Sequence, residues 1–354
     1  MAQSQAMVVA SAARPSKRPV AIWLLVCAGM VFFMVVLGGL TRLTDSGLSM
    51  MDWKPLSVLP PMTEAEWTYW FDIYRRIPQY HNVNAGMTLT EFKGIFWLEY
   101  LHRLWGRLIG VVFLVPFLWF LWRGHVDRHL APRLALLFVL GGLQGALGWF
   151  MVASGFTEVA AVSQYRLAAH LIAAVIIYGA ILWVALGLLN PRPSLVAPDT
   201  AALRSRLSWL LGLTTVVILS GAFVAGLDAG LIYNTFPLMN DHLVPPEIFD
   251  HSPWILNFFE NHATVQFTHR VLALTAFFLI LWAWWGSRAV AVPPRARAPL
   301  ALLPLAAVLQ VGLGISTLLL AVPVSLATLH QAGALLLFTA LLWAIREMTP
   351  GEAA

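Results

Sequence analysis

Leu37-Gly38-Gly39, followed by Asp45-Ser46-Gly47-Leu48, returns much later in the chain as Ser220-Gly221-Ala222 followed by Asp228-Ala229-Gly230-Leu231. Three further matches keep the same order: His102-Arg103 returns as His269-Arg270, Gln144-Gly145-Ala146-Leu147-Gly148 as Gln310-Val311-Gly312-Leu313-Gly314, and His170 as His330. One duplication explains all four, so the chain reads as two copies of one unit. Around these motifs lie apolar stretches long enough to cross a bilayer at roughly 20 residues each. They occupy 21–40, 97–122, 134–153, 167–188, 207–227, 267–285, 300–322 and 325–345, four to each copy. A unit with an even number of spans repeats in parallel, about an axis along the membrane normal. The expected fold is an all-α integral membrane protein, with eight transmembrane helices arranged as two pseudo-symmetric parallel four-helix bundles.

Composition agrees, because 59% of the residues are apolar and only 11% charged, against about 45–50% and about 25% in soluble domains. The net charge of +5 does not signal nucleic acid, since the basic residues gather in no single stripe and most sit at the ends of apolar segments. They read instead as topology signals. With the N-terminus inside, the inner segments hold 13 of the 22 lysines and arginines, which places both termini in the cytoplasm or matrix. The domain reading is then a cytoplasmic tail at 1–20, an N-terminal half at 21–189, a Pro- and Arg-rich linker at 190–206, a C-terminal half at 207–346 and a short tail at 347–354. Two long outer loops, 42–96 and 228–266, remain. The bacterial inner membrane is the expected location, with the mitochondrial inner membrane as the alternative. No small-residue cleavage site follows the first apolar run, so that run reads as a retained span. The single cysteine, Cys27, lies within it; an internal disulfide or a Cys-based metal site is therefore ruled out.

Ten histidines divide into two groups. His81, His242, His251 and His262 fall in outer loops and His125 and His129 in an inner one, where solvated polar residues need no role. His102, His170, His269 and His330 instead fall within about two turns of the outer start of each even-numbered span. Ionisable residues inside spans are costly and face the bundle interior with a partner. Two imidazoles converging from two helices can take the axial positions of a haem iron, whereas zinc would want further ligands in a tetrahedral set. A metal-free proton relay is also open to such histidines but does not explain the duplication.

The copies differ at one acidic position. Glu99 precedes His102 by three residues and shares its helix face, whereas Gln266 holds that place before His269. A carboxylate beside a metal site can act as base, proton donor or electrostatic stabiliser, or can merely orient His102 or pair with Arg103. Arg103, Arg107, Arg166 and Arg270 lie close to the histidines and suit haem propionates, with snorkelling to the interface as the rival reading. Gly106, Gly110, Gly142, Gly145, Gly148, Gly312 and Gly314 suit either a flat macrocycle or close helix packing.

Five stretches now carry a resemblance to the haem A synthase family over nearly the whole chain: residues 38–48 (Gly-Gly-Leu-Thr-Arg-Leu-Thr-Asp-Ser-Gly-Leu), 99–107 (Glu-Tyr-Leu-His-Arg-Leu-Trp-Gly-Arg), 164–170 (Gln-Tyr-Arg-Leu-Ala-Ala-His), 266–270 (Gln-Phe-Thr-His-Arg) and 326–331 (Leu-Ala-Thr-Leu-His-Gln). The resemblance implies oxidation of the C8 methyl of haem O, through an alcohol and a geminal diol that loses water, to the formyl group of haem A. It implies a haem b cofactor on His269 and His330, with Arg270 beside it. Substrate haem would lie near His102 and His170 with Arg103, Arg107 and Arg166, and Glu99 would be the catalytic carboxylate. Implied partners are haem O, haem O synthase, an unassigned electron donor and membrane lipid, but no nucleic acid; a homo-oligomer is left open. Some members carry a cysteine pair in the first long outer loop. This chain has none, which resembles the proteobacterial and mitochondrial branch. The competing readings are a non-enzymatic dihaem b-type membrane cytochrome and, more remotely, a transporter, whose polar residues should approach the midplane.

Overall fold

The computed structural model describes residues 16–51, 59–156, 161–190 and 197–350; most of the tail expected at 1–20, part of the linker and part of the last tail lie outside these. Among the described residues the chain is helical apart from a single β-bridge between Met239 and His242. Eight helices are long and apolar enough to cross a membrane: α1 (Arg18–Leu43), α4 (Leu89–Trp122), α5 (Ala131–Ala153), α6 (Gln164–Leu189), α7 (Pro198–Gly226), α9 (His262–Ser287), α10 (Pro294–Leu319) and α11 (Val324–Glu347). Three short helices, α2 (Glu64–Tyr74), α3 (Pro78–Asn82) and α8 (Asn257–Glu260), lie in the two long loops that follow α1 and α7.

The spans match the apolar stretches, but several begin earlier, and each early start has a local cause. α4 starts at Leu89 rather than 97 because Thr88 and Glu91 form a capping box: the Thr88 hydroxyl accepts from the Glu91 N–H, and the Glu91 carboxylate accepts from the Thr88 N–H at 2.8 Å. α7 starts at Pro198, within the stretch read as linker. Proline fits the first helical turn, where its missing N–H would find no partner anyway. α9 is capped by Asn261, whose side chain accepts from the Thr264 N–H at 3.0 Å. One expectation changes as a result. His102 lies in the fourth turn of its helix, not the first two, whereas His170, His269 and His330 lie in the second turn of theirs.

α1 and α11 are the most deeply buried spans, followed by α6 and α7, and these four pack together at the centre. Each copy thus contributes its first and last span to the middle. The remaining spans present apolar stripes at helical spacing to the surroundings: Val111, Val115, Leu118 and Trp122 on α4, Leu136, Val139 and Leu143 on α5, Phe278, Trp282 and Trp285 on α9, and Leu302, Leu305 and Leu309 on α10. Such stripes are tolerable only where lipid is the solvent. Pro116 in α4 and Pro299 and Pro304 in α10 sit inside helices, as neighbouring helices in a bilayer allow.

α1 and α7 end alike. Asp45 and Asp228, at matching places in the repeat, both take the left-handed backbone (φ 50° and 51°), which aspartate adopts more readily than most residues. The turn leads from each helix into the long loop that follows it. Over the first copy, Trp67 of α2, Tyr74 and the α4 residues Phe92, Phe96 and Tyr100 form one buried aromatic cluster.

Candidate functional site

Each copy brings two half-buried imidazoles together, and all four of its spans take part. In the first copy His102 on α4 lies against Gly38 of α1, where an added Cβ would sit 3.1 Å from His102 Cε1. His170 on α6 lies against Gly148 of α5, where the distance would be 2.9 Å. In the second copy His269 on α9 meets Gly221 of α7, with a corresponding distance of 3.2 Å, and His330 on α11 meets Gly314 of α10, at 2.8 Å. Any side chain at these glycines would push the ring away, so the motifs containing glycine and histidine are parts of one device. Within each copy the rings lie in electrostatic range of one another, His102 of His170 and His269 of His330.

A glutamine one turn before each α5 or α10 glycine steadies the neighbouring histidine. Gln144 donates from Nε2 to the His170 carbonyl at 2.8 Å and stands 3.1 Å from its Nδ1. Gln310 donates to the His330 carbonyl at 3.0 Å and stands 3.2 Å from its Nδ1. These glutamines stand at matching places in the repeat, but nothing in their spacing separates them from ordinary helix packing.

The α4 and α9 histidines are held differently. His269 Nδ1 lies 2.8 Å from Ser220 Oγ, and that hydroxyl in turn donates to the Val217 carbonyl at 2.8 Å. Leu37 stands at the matching position in the first copy. His102 Nδ1 is accordingly buried without a hydrogen-bond partner among the described residues.

Glu99 is buried, and three donors reach its two oxygens: Ser49 Oγ at 2.7 Å and the Met50 N–H at 2.8 Å on Oε2, and Arg103 Nη2 at 2.5 Å on Oε1. It therefore ties α4 to the chain leaving α1, and it is Arg103 rather than His102 that it bonds. Gln266 repeats this arrangement with the polarity changed. Its Nε2 donates to the Ala229 carbonyl at 2.8 Å, and its Oε1 accepts from Arg270 Nη2 at 3.1 Å. Arg103 also donates to the Met50 carbonyl at 2.6 Å, and Arg270 to the Tyr233 carbonyl at 2.8 Å.

Arg270 further donates to Thr235 O at 2.9 Å, while its buried Nε finds no acceptor among the described residues. Arg166 donates to Phe150 O at 2.7 Å with its guanidinium 3.8 Å from the Phe150 ring centre. Arg107, one turn beyond Arg103, is half-buried. The loop histidines stay at the surface: His81, His129, His242, His251 and His262 are exposed, and His125 is half-buried beside the Ser16 carbonyl at 3.0 Å.

The donor sets fit a haem better than a bare ion. Among the described residues no three His, Cys, Asp or Glu side chains gather as a metal site, whereas two imidazoles from separate helices suit the two axial positions of a planar macrocycle. Gly110, Gly142, Gly145 and Gly312 have no atom within 4 Å of where a Cβ would stand, so close helix packing does not account for them. Gly106 is different, with Met34 Cε at 3.3 Å.

Residues 21–342 match the family model described as cytochrome oxidase assembly protein. The chain is 53% identical over 336 residues to a protein of Nitrosospira multiformis named heme A synthase, covering 94% of both. It is 54% identical over 345 residues to one of that name from Rhodospirillum centenum, covering 97% of this chain and 91% of the relative. A third, from Nitrosomonas eutropha, is 51% identical over 334 residues.

Proposed function

This chain belongs to the cytochrome oxidase assembly family that contains the haem A synthases, and from that premise we propose that it oxidises the C8 methyl group of haem O to the formyl group of haem A. What carries the reading is near-complete alignment, at about half identity, with relatives named for this activity. The paired imidazoles supply the matching chemistry.

Within this reading the chain forms two parallel halves, and the first receives the substrate haem between His102 and His170. The second holds a resident haem b on His269 and His330, which supplies electron transfer when bound. This division rests on the polar asymmetry. Among the described residues, only the first copy has a buried carboxylate beside its imidazoles, and only the second gives its peripheral histidine a hydroxyl partner. With both oxygens of Glu99 serving as acceptors, base or electrostatic stabiliser suits it better than proton donor. Arg103, Arg107 and Arg166 are assigned to the substrate's propionates and Arg270 to those of the cofactor. Backbone carbonyls already orient three of these guanidiniums, those of Met50 and Thr235 in loops and that of Phe150 in the last turn of α5. With the N-terminus on the cytoplasmic side of the inner membrane, both sites lie toward the outer face. Haem O synthase is the expected source of substrate, and a separate redox protein the electron partner.

The test is pigment extraction and mass analysis from a host that makes haem O, with and without this chain. Haem A should appear only with it. Bound b-type haem without any haem A would instead indicate an electron carrier.

A further inference from the structure

We propose that Ser220 is a positioning residue that fixes His269 as a permanent axial ligand, and that Leu37 at the matching place leaves His102 unbraced for exchangeable substrate haem. The inference rests on the reading that the second copy holds the resident cofactor. It begins with hydrogen-bond direction. Ser220 Oγ lies 2.8 Å from the Val217 carbonyl, which can only accept, so the hydroxyl proton points there. The hydroxyl oxygen then accepts from His269 Nδ1 at 2.8 Å. A neutral imidazole carrying its proton on Nδ1 has its lone pair on Nε2, the atom left to face a metal.

Gly221 completes the seat from the adjacent position. Its missing side chain lets the ring approach α7 closely, since a Cβ there would stand 3.2 Å from His269 Cε1 and 3.7 Å from Nδ1. Serine and glycine together therefore set both the tautomer and the orientation of the ring. In the first copy Gly38 supplies the same space, with the corresponding distances 3.1 Å and 3.7 Å, but Leu37 supplies no acceptor. Among the described residues His102 Nδ1 is buried with no hydrogen-bond partner. The two copies thus share a steric seat and differ in the polar brace.

A hydrogen bond to the distal nitrogen of a ligating histidine raises its basicity and fixes its direction, and loss of such outer partners typically weakens binding by about 10–100-fold. A more basic ligand favours ferric over ferrous iron, so the brace should also hold the reduction potential down. For a resident cofactor both effects are useful. For a substrate that must arrive and leave, a rigid ligand would be a hindrance.

Full-length protein carrying bound haem would be purified as wild type, Ser220→Ala, Ser220→Thr, Ser220→Val and His269→Ala. Two quantities would be read: the midpoint potential by optical titration, and the rate of haem transfer to excess apomyoglobin. Ser220→Ala and Ser220→Val should raise the potential and speed haem transfer by roughly ten-fold or more. Ser220→Thr should stay close to wild type, because its hydroxyl can make the same bond back along the helix. Thr and Val are nearly isosteric, so that comparison reads the hydroxyl even if the alanine variant folds poorly. Equal potentials and transfer rates for Thr and Val would overturn the proposal. If His269→Ala also keeps a full haem complement, the cofactor assignment itself fails; if it loses haem while Thr and Val agree, only the role of Ser220 fails.

Discussion

Glu99 and Gln266 show how one atom can separate two otherwise matching sites. Both side chains meet an arginine four residues on, and both reach the strand of chain leaving the preceding central helix. Where Gln266 donates an amide N–H to a carbonyl, Glu99 accepts from the Met50 N–H and the Ser49 hydroxyl. Glu99→Gln keeps the shape but offers an N–H where an acceptor was used, at a cost of about 1–3 kcal/mol. Gln266 shows that the fold accommodates an amide beside such an arginine. The variant should therefore accumulate with its b-type absorbance intact and lose haem A formation by at least ten-fold, measured by mass analysis of extracted haem. Product at the wild-type level would remove Glu99 from catalysis and leave it a loop anchor. At this scale the four histidines and Glu99 were legible in the sequence because their positions repeat or conspicuously fail to. Ser220 was also printed in the repeat, opposite Leu37, but a hydroxyl in an apolar helix has a ready alternative in its own backbone. Only the 2.8 Å approach of His269 shows the second use.

Among the elements, span number and order could be read directly, because hydrophobic length in a bilayer is a strong constraint. Helix starts could not, since they depend on caps such as Thr88 and Asn261 that lie outside the apolar runs. Which helices occupy the centre was equally hidden. All eight are apolar nearly all round, so periodicity does not separate a lipid-facing stripe from a protein-facing one. The glycines make the distinction physical. On α7, Gly226 meets the start of α6 so closely that an added Cβ would lie 2.8 Å from the Gln164 Cα, a backbone atom that no side-chain rotation can move. Gly212 on the same helix has nothing within 4 Å. Gly226→Ala should accordingly force the outer ends of α6 and α7 apart and destabilise the protein by about 1–3 kcal/mol. Gly212→Ala should be neutral or stabilising by up to about 1 kcal/mol. Thermal unfolding of both variants in detergent checks the pair. Equal melting temperatures would show that α6 and α7 are not packed as described.

Across the whole molecule the contact between the two copies is polar as well as apolar. Gln331 on α11 donates to the Val35 carbonyl of α1 at 2.9 Å, occupying the space beside Gly39. Where α1 and α7 end, Arg42 reaches from the one to the other, donating to both Asp228 oxygens and to the Ala225 carbonyl, each at 3.0 Å, with Asp45 at 3.5 Å. Arg42 could have been noticed as a cation just past the end of the first apolar run, but its partner in the other copy could not. One guanidinium thus lies between two aspartates that would otherwise repel. Burial, with the nearby Asp228 adding to it, pushes Asp45 above the usual aspartate range, and Arg42 pulls it back. The sign of the pH effect follows. A raised carboxylate costs native stability once pH exceeds its usual titration range, and the cost disappears when acid protonates it in folded and unfolded states alike. Arg42→Gln removes the opposing charge, so its penalty should be present at neutral pH and fade below about pH 4. Because Asp45 keeps about half of its side chain in solvent and Asp228 more, with side-chain exposures of 49% and 63%, solvent limits the effect to about 1 kcal/mol. Melting curves of wild type and Arg42→Gln in detergent at pH 7 and pH 4 measure it, and a gap that stays constant between the two values would mean that Arg42 joins the copies by packing rather than by charge.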